Sequence, residues 1–470
     1  LSNKFNFSVV SGGTASTCNW DDQSFDLDVV MNFDSLFIHN SSDDRIDPDN
    51  PSAGRKVTYF MQNIAQNDIY YGWKGLLSLK ISDTYTAFLR LNVNVQDMER
   101  FREVRNLLGG DYMIDQRGSN GQYEYICRIG DKFGYYYEGK VIEYSAGTGI
   151  NYNSGDFSWN MLCNLGLDNY SKESKFESDY YSHNETGMYI FNISGRCRYR
   201  LDEELSLFAG AGFQSAPPAY EAVYNIDNSN NDWDYARGMD FDLGAEYRNN
   251  HFRAYCNIYY NKLLDYSTID YFTYHYNIAK FRYLAISSER YGVEAFLEYK
   301  PNDLLDFTAS ADFSGSQLLG RADWCFEDIS GTSFFERQKG SYDADGVKAF
   351  GAPHTSFSVA GTLHPWNSSF LTLILNYYDG IYSDIIFFNL SDKRLKDSWE
   401  IPGYFIMNLN AGFDIPVSDL LQIKVFADVY NLLDTKYISL AYNGVSYDQE
   451  TALVLFGIPL RWDLGVKIGF

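Results

Sequence analysis

The chain closes with Trp462-Asp463-Leu464-Gly465-Val466-Lys467-Ile468-Gly469-Phe470, and this stretch decides how the rest is read. Successive side chains of a strand point to opposite faces. Trp462, Leu464, Val466, Ile468 and Phe470 therefore share one face, and Asp463, Gly465, Lys467 and Gly469 share the other. One face is wholly apolar and the other is small or charged. A wall between lipid and a watery lumen requires this pattern. One edge strand of a soluble sheet would read the same way, so the test is whether the other strands agree.

They do. Tyr189, Phe191, Ile193, Cys197 and Tyr199 alternate with Asn192, Ser194, Arg196, Arg198 and Arg200. Beyond a short acidic turn at Asp202-Glu203 come Leu205, Leu207, Ala209, Ala211 and Phe213. Phe241, Leu243, Ala245 and Tyr247 alternate with Asp240, Asp242, Gly244 and Glu246, and Leu305, Phe307, Ala309, Ala311 and Phe313 with Asp306, Thr308, Ser310 and Asp312. Each run is about the length a tilted membrane strand needs. Short turns at Ser82-Asp83, Asn249-Asn250 and Pro301-Asn302-Asp303 alternate with long polar stretches, read as loops near 40–68, 97–137, 169–186, 214–237, up to 287 and up to 352. An up-and-down membrane barrel has short periplasmic turns and long external loops. A sandwich or propeller has no reason to keep its long loops at one end. The fold class expected is all-β, a transmembrane antiparallel up-and-down β-barrel over residues 1–470. It should have roughly 17 to 22 strands, the first near 4–13 and 24–38. Counted back from Phe470, the strand at 4–13 should run downwards. That leaves an odd strand number, at variance with the even number of a closed bacterial barrel.

Composition fits. Of 470 residues, 17% are aromatic, with 40 Tyr and 34 Phe, residues favoured in strands and at membrane interfaces. No run reaches the roughly 18 apolar residues of a membrane helix. The net charge of −24 excludes nucleic acid as a partner, since phosphate binding requires a basic surface. The six cysteines are scattered without metal-type spacing; Cys197 and Cys256 fall on apolar strand faces, and a bridge between Cys18 and Cys325 has no support in the pattern. The sequence opens at Leu1 with no leader and reads as a mature chain or a piece of one.

Several stretches together resemble the TonB-dependent outer-membrane receptors of the Bacteroidetes type. Val429-Tyr430-Asn431-Leu432-Leu433-Asp434-Thr435-Lys436-Tyr437 is similar to the family's ending of the penultimate strand. Phe456-Gly457-Ile458-Pro459-Leu460-Arg461 is similar to its entry into the last strand, with one extra residue before the arginine. Gly212-Phe213-Gln214-Ser215-Ala216-Pro217-Pro218 resembles a mid-barrel landmark, although Gln214 and Ser215 stand near the family's usual arginine. Glu103 to Tyr112 and Gly346 to Pro353 look like loop landmarks. The resemblance implies an outer-membrane barrel of 22 strands around an N-terminal plug that carries a TonB-binding box. No plug is recognisable in this chain, and by the same comparison some four or five strands would precede it. The terminal aromatic face, Trp462, Leu464, Val466, Ile468 and Phe470, resembles the signal read by the barrel-assembly machinery.

No catalytic constellation is visible, so no enzyme and no cofactor are expected. The six histidines show no metal-protease spacing, and no nucleophile elbow or phosphate loop appears. Paired carboxylates such as Asp240 with Asp242, and Glu294 with Glu298, face one side at period two and read as lumen lining. Asp227, Asn228, Asn230, Asp232 and Asp234 are oxygen-rich but lack the glycine and distal glutamate of a calcium loop, and read as solvated or as bridging lipopolysaccharide through divalent ions. Aromatic loop residues are the better ligand-binding candidates: Tyr220 and Tyr224 with Glu221 between them, Tyr274, and Trp324. Aromatic rings there can stack on sugars or chelates. The expected function is nutrient uptake (a metal chelate, haem, glycan or peptide) driven by the TonB system. The rival expectations are a structural barrel subunit or adhesin, and a passive porin-like channel. Expected partners are outer-membrane lipid and lipopolysaccharide, the TonB system, and a surface lipoprotein or other outer-membrane subunits.

Overall fold

Apolar residues repeating every second position cannot share one face of a helix, whose faces repeat every 3.6 residues, so strands form. The computed structural model describes residues 2–8, 57, 60–117, 123–176, 183–218, 220, 235–274, 277–328, 338–348, 351–366, 368–384, 396–418, 421–444 and 446–469. In some stretches, among them 2–8, 268–285 and 324–328, it describes the backbone alone.

In chain order the strands begin with β1 (Ser2–Ser8), β2 (Met61–Lys80), β3 (Tyr85–Asn106), β4 (Met113–Arg117), β5 (Tyr123–Cys127) and β6 (Lys132–Ser154). Then come β7 (Phe157–Ser174), β8 (His183–Arg200), β9 (Leu205–Ala216), β10 (Ala236–Arg248), β11 (Phe252–Tyr274), β12 (Asn277–Asn302) and β13 (Leu305–Asp328). The rest are β14 (Gln338–Asp343), β15 (Thr355–Leu363), β16 (Ser369–Asp379), β17 (Ile381–Tyr382), β18 (Glu400–Ile401), β19 (Tyr404–Ser418), β20 (Leu421–Tyr430), β21 (Ile438–Tyr442), β22 (Leu453–Phe456) and β23 (Arg461–Gly469).

Seventeen of these form one antiparallel sheet whose neighbours follow the chain. β13 carries two partners on one side, β15 along its first half and β14 along its second, so the two make one interrupted stave. The hairpins β4–β5, β17–β18 and β21–β22 stand apart from the wall. Among the described residues the outer strands β1 and β23 do not pair with each other.

The direction of β1 corrects the parity expected from sequence. Ser2 lies opposite Ser78 and Ser8 opposite Gly72, while β2 ends at the short turn before Tyr85. The first strand therefore rises from the short-turn end, because it neighbours β2 directly with no strand between them. The candidate strand near 24–38 lies outside the described residues, as does the far end of the strand placed at 4–13.

The outward face is the apolar one. Leu165, Tyr189, Leu243 and Ile258 are all more than half exposed to the surroundings of the sheet. Rings cluster toward the short turns: Tyr85 against Tyr152 at 4.7 Å, Tyr247 against Phe252 at 5.8 Å, and Phe252 against Tyr299 at 6.4 Å. A second set lies further along the strands, with Phe191–Phe213 at 6.0 Å and Phe313–Phe357 at 5.1 Å. From Tyr291 to Tyr299 is about 26 Å of strand, which a barrel's tilt reduces to roughly 20 Å of height. Two aromatic girdles around an apolar band are what a bilayer interface selects. Cys197 and Cys256 are free thiols on this face, as expected.

Beyond the second girdle the strands continue. The polar stretches read as loops near 97–137, before 287 and before 352 are largely paired strand: β3 runs on to Asn106, β11 to Tyr274 and β13 to Asp328. Once both faces are wet, alternation has no cause, although the ladder hydrogen bonds persist.

On the inner face, glycines receive rings from the neighbouring strand. An added Cβ at Gly149 would meet Phe88, at Gly244 Phe208, at Gly412 Phe370 and at Gly465 Phe426, each within 2.4 Å. The small residue of the closing stretch is therefore a seat for an aromatic ring, an inward use of the ring-over-glycine pairing that pins register.

The exit from β20 is clamped to the entry of β23. The Asn431 side-chain amide donates to the carbonyls of Thr435 (2.9 Å) and Ile458 (3.0 Å), and its oxygen accepts from the Thr435 N–H (2.9 Å). Asp434 accepts from the Leu460 N–H at 3.0 Å, and Tyr437 stacks on Tyr404 at 4.5 Å.

Candidate functional site

The surfaces of a membrane barrel that a solute can reach are its inner wall and the rim of its long-loop end. The inner wall carries paired charges. Glu246 lies between Arg198 and Arg253, with Arg253 Nε at 3.0 Å, and Arg196 reaches Asp242 at 3.1 Å. Nearer the long-loop end, Arg290 donates to Asp312 (2.8 Å), Ser314 (2.9 Å) and the Pro353 carbonyl (3.2 Å), and the Tyr259 hydroxyl donates to Asp312 at 3.0 Å. The Asp240/Asp242 pair thus lines the interior, and Asp242 is held by an arginine.

Three external loops meet beside Arg290. His354 shares a hydrogen bond of 2.8 Å with Ser316, and its ring lies 5.1 Å from that of Tyr382. The Lys348 ammonium donates to the Tyr382 hydroxyl at 2.8 Å. Burial, together with the Arg290 and Lys348 charges, holds the His354 imidazole below its ordinary range, so it stays neutral. A buried Asn443 then ties the β17–β18 loop to the β21–β22 loop. It donates to Ser398 at 3.0 Å, and its side-chain oxygen accepts from Ser383 and from the Trp399 N–H. The rim is therefore cross-braced, and short-range sequence signals show none of this, because its members come from three separate loops.

Tyr220 is buried at 6% exposure, away from the loop surface where it was expected. It folds back over the inner wall, stacks on Tyr170 with centroids 6.3 Å apart, and donates to the Ser171 carbonyl at 2.9 Å. Met98 and Met188 complete the cluster. Gly139 makes this possible: a Cβ there would meet the Tyr220 hydroxyl at 2.4 Å. Tyr274 closes the long strand β11 and Trp324 lies within β13, so both stand on strand extensions rather than free loops. Their side chains lie outside the described residues, as do Glu221, Tyr224 and the oxygen-rich stretch from Asp227 to Asp234. Of the terminal apolar face, Trp462, Leu464, Val466 and Ile468 are exposed along one side of β23, and Phe470 lies outside the described residues. Among the described residues no group of three or more His, Cys, Asp or Glu side chains is arranged to hold a metal ion.

The architecture is that of an outer-membrane β-barrel: antiparallel staves in chain order, an apolar girdled exterior and a charged interior. Residues 3–432 match the family model described as TonB dependent receptor-like, beta-barrel, and the chain belongs to that family. Its fold is similar to that of the copper transporter OprC, with a TM-score of 0.60 at 12% identity over 87% of this chain and 57% of the other. It is also similar to the ferric citrate transporter FecA in the unliganded form (TM-score 0.60, 12% identity, 87% and 55%). The ferric yersiniabactin uptake receptor FyuA from Yersinia pestis aligns with a TM-score of 0.56 at 12% identity over 87% and 55%. The chain thus spans a little over half the length of these structures. No curated protein sequence matches it.

Proposed function

We propose that the protein imports a nutrient across the outer membrane as a TonB-dependent receptor, and that the nutrient is a metal chelate. The family match over residues 3–432 carries this reading. The similar structures are a copper transporter, a ferric citrate transporter and a ferric yersiniabactin uptake receptor, and the inner wall here offers charged and aromatic groups able to hold such solutes. Coupling to the TonB system and assembly through the terminal aromatic face belong to the same proposal. So does ligand contact by Glu221, Tyr224, Tyr274 and Trp324. For Tyr220 the proposed role is positioning, since its ring is buried.

The test is uptake of labelled iron or copper chelates by cells that express or lack the protein, with and without an uncoupler. Uptake that needs both the protein and the proton-motive force supports import. Uptake indifferent to the uncoupler, together with a steady large conductance in liposomes, would replace this reading with a passive channel.

A further inference from the structure

Three neighbouring strands change character on their outward face at the same height. On β6, β7 and β8 the cross-strand row Tyr144, Leu167 and Tyr189 is apolar. The next outward row toward the long-loop end, Ile142, Asn169 and Gly187, is mixed, and the one after it, Lys140, Ser171 and Glu185, is polar throughout. From Tyr152 of the lower girdle to Ile142 is about 34 Å of strand, or roughly 26 Å along the membrane normal. That is the height of a membrane barrel's apolar band. Lys140, Ser171 and Glu185 therefore stand in the headgroup layer of the outer leaflet.

These rows enclose a hollow of about 620 Å³ in the outer wall, lined by Lys140, Ile142, Asn169, Ser171, Glu185 and Gly187. Its size is that of a small-molecule site. Gly187 opens it: an added Cβ there would meet only the Asn169 side-chain oxygen at 3.1 Å and Leu167 at 3.6 Å. At the upper lip the Lys140 ammonium lies 3.3 Å from Asp97, and both side chains are about two-fifths exposed. An exposed pair of this kind contributes little, so a phosphate can share the ammonium or take it over. Asn169, Ser171 and Glu185 supply amide, hydroxyl and carboxylate oxygens, which accept hydrogen bonds from sugar hydroxyls. Two carboxylates beside one ammonium do not suit a bare anion. They suit a headgroup that carries a phosphate together with many hydroxyls. Toward the short turns, Ile142, Leu167 and the exposed rings of Tyr144 and Tyr189 make an apolar slope.

We propose that this hollow binds one phosphorylated glycolipid of the outer leaflet. The phosphate sits on Lys140, the sugar hydroxyls donate to Glu185, Asn169 and Ser171, and an acyl chain runs down Ile142, Leu167 and Tyr189. Head and tail then meet polar and apolar protein at the level where each lies in the membrane. The site faces lipid, so it does not depend on which nutrient the barrel carries, or on its carrying one.

Native mass spectrometry of the purified full-length protein, released from detergent micelles, tests this with bisphosphorylated lipid A as the probe. The expected result is one retained lipid A per protein, held in preference to its dephosphorylated form and to phosphatidylglycerol. Lys140→Gln should weaken retention about tenfold and erase the preference for phosphate. Gly187→Leu fills the hollow and should weaken retention of both forms. Lys262→Gln is the control: Lys262 lies on the outward face of β11 beyond Tyr260, away from the hollow, and its loss should leave retention unchanged. Gel mobility with and without heating checks that each variant is folded. Lys140 is half-exposed, so its variant keeps the test alive if Gly187→Leu misfolds. The proposal fails if folded Lys140→Gln retains lipid A like the parent. It also fails if phosphatidylglycerol or the dephosphorylated form is held equally well by the parent, which would mean annular lipid only. An equal loss in Lys262→Gln would overturn it too, by showing a diffuse charge effect in place of a site.

Discussion

Asn431 takes a left-handed backbone conformation, φ 52°, just after β20, and Asp434 follows at φ 49°. Asparagine and aspartate tolerate this region better than most residues. Asn431 is 2% exposed and saturates its amide within the clamp, so truncation leaves buried backbone groups unpaired. Asn431→Ala should cost about 2–3 kcal/mol, read as a lower urea midpoint of the folded barrel. A change below about 0.5 kcal/mol would mean that water replaces the lost bonds. The family-like motif was legible in the sequence, but its job was not, because Ile458 and Leu460 come from the other side of an intervening hairpin. A second residue-scale test concerns Gly465. Gly465→Val should destabilise by about 1–3 kcal/mol through collision with the Phe426 ring, and Phe426→Ala should recover part of that loss in the double mutant. Purely additive effects would show that the ring does not sit on the glycine.

At the scale of elements, the rim loops meet around a neutral histidine. His354 has its proton affinity depressed in the folded protein, while the unfolded chain keeps the ordinary value near 6.5. The unfolded state therefore takes up the proton first as pH falls. The stabilisation is full above about pH 6.5 and declines as pH drops toward the lower folded value. The protection of residues 343–348, 351–354 and 380–384 against hydrogen exchange, corrected for the intrinsic slowing of exchange in acid, should weaken at mildly acidic pH in the parent, and His354→Gln should flatten that dependence. An equal pH response in the variant would place the sensitivity elsewhere than at His354. The elements also mark where sequence reading stopped. Alternation identified the girdled halves of the strands, since lipid forces every second residue to be apolar there. It failed for the upper halves of β3, β11, β12 and β13, where water on both sides removes the pattern. Tyr220 was misplaced for a similar reason: its pocket is made by Gly139 on β6, far away in the chain.

For the whole molecule, the strongest claim is the inside-out polarity of the wall, and it can be tested by charge. Leu243 lies outward between Tyr247 and Phe241 and is 59% exposed to the surroundings. Ser194 is on the inner face, opposite Gly212. Leu243→Arg should cost about 2–4 kcal/mol of folding free energy in bilayers, whereas Ser194→Arg should be nearly neutral. Equal costs, measured by denaturant titration in lipid vesicles, would contradict this assignment of the two faces.

The height of the wall also bears on how a solute first meets the protein. β12 alone has 26 residues, and beyond Tyr291 it climbs about 45 Å of strand, or roughly 30 Å along the membrane normal. At physiological ionic strength the Debye length is about 8 Å. The tips of β11, β12 and β13 therefore lie several screening lengths from the charged lipid surface. A charged solute arriving there responds to the protein's own loops and hardly at all to the leaflet below. Changing the lipid headgroup charge should accordingly leave the rate of first capture unaltered, while changing the salt should not.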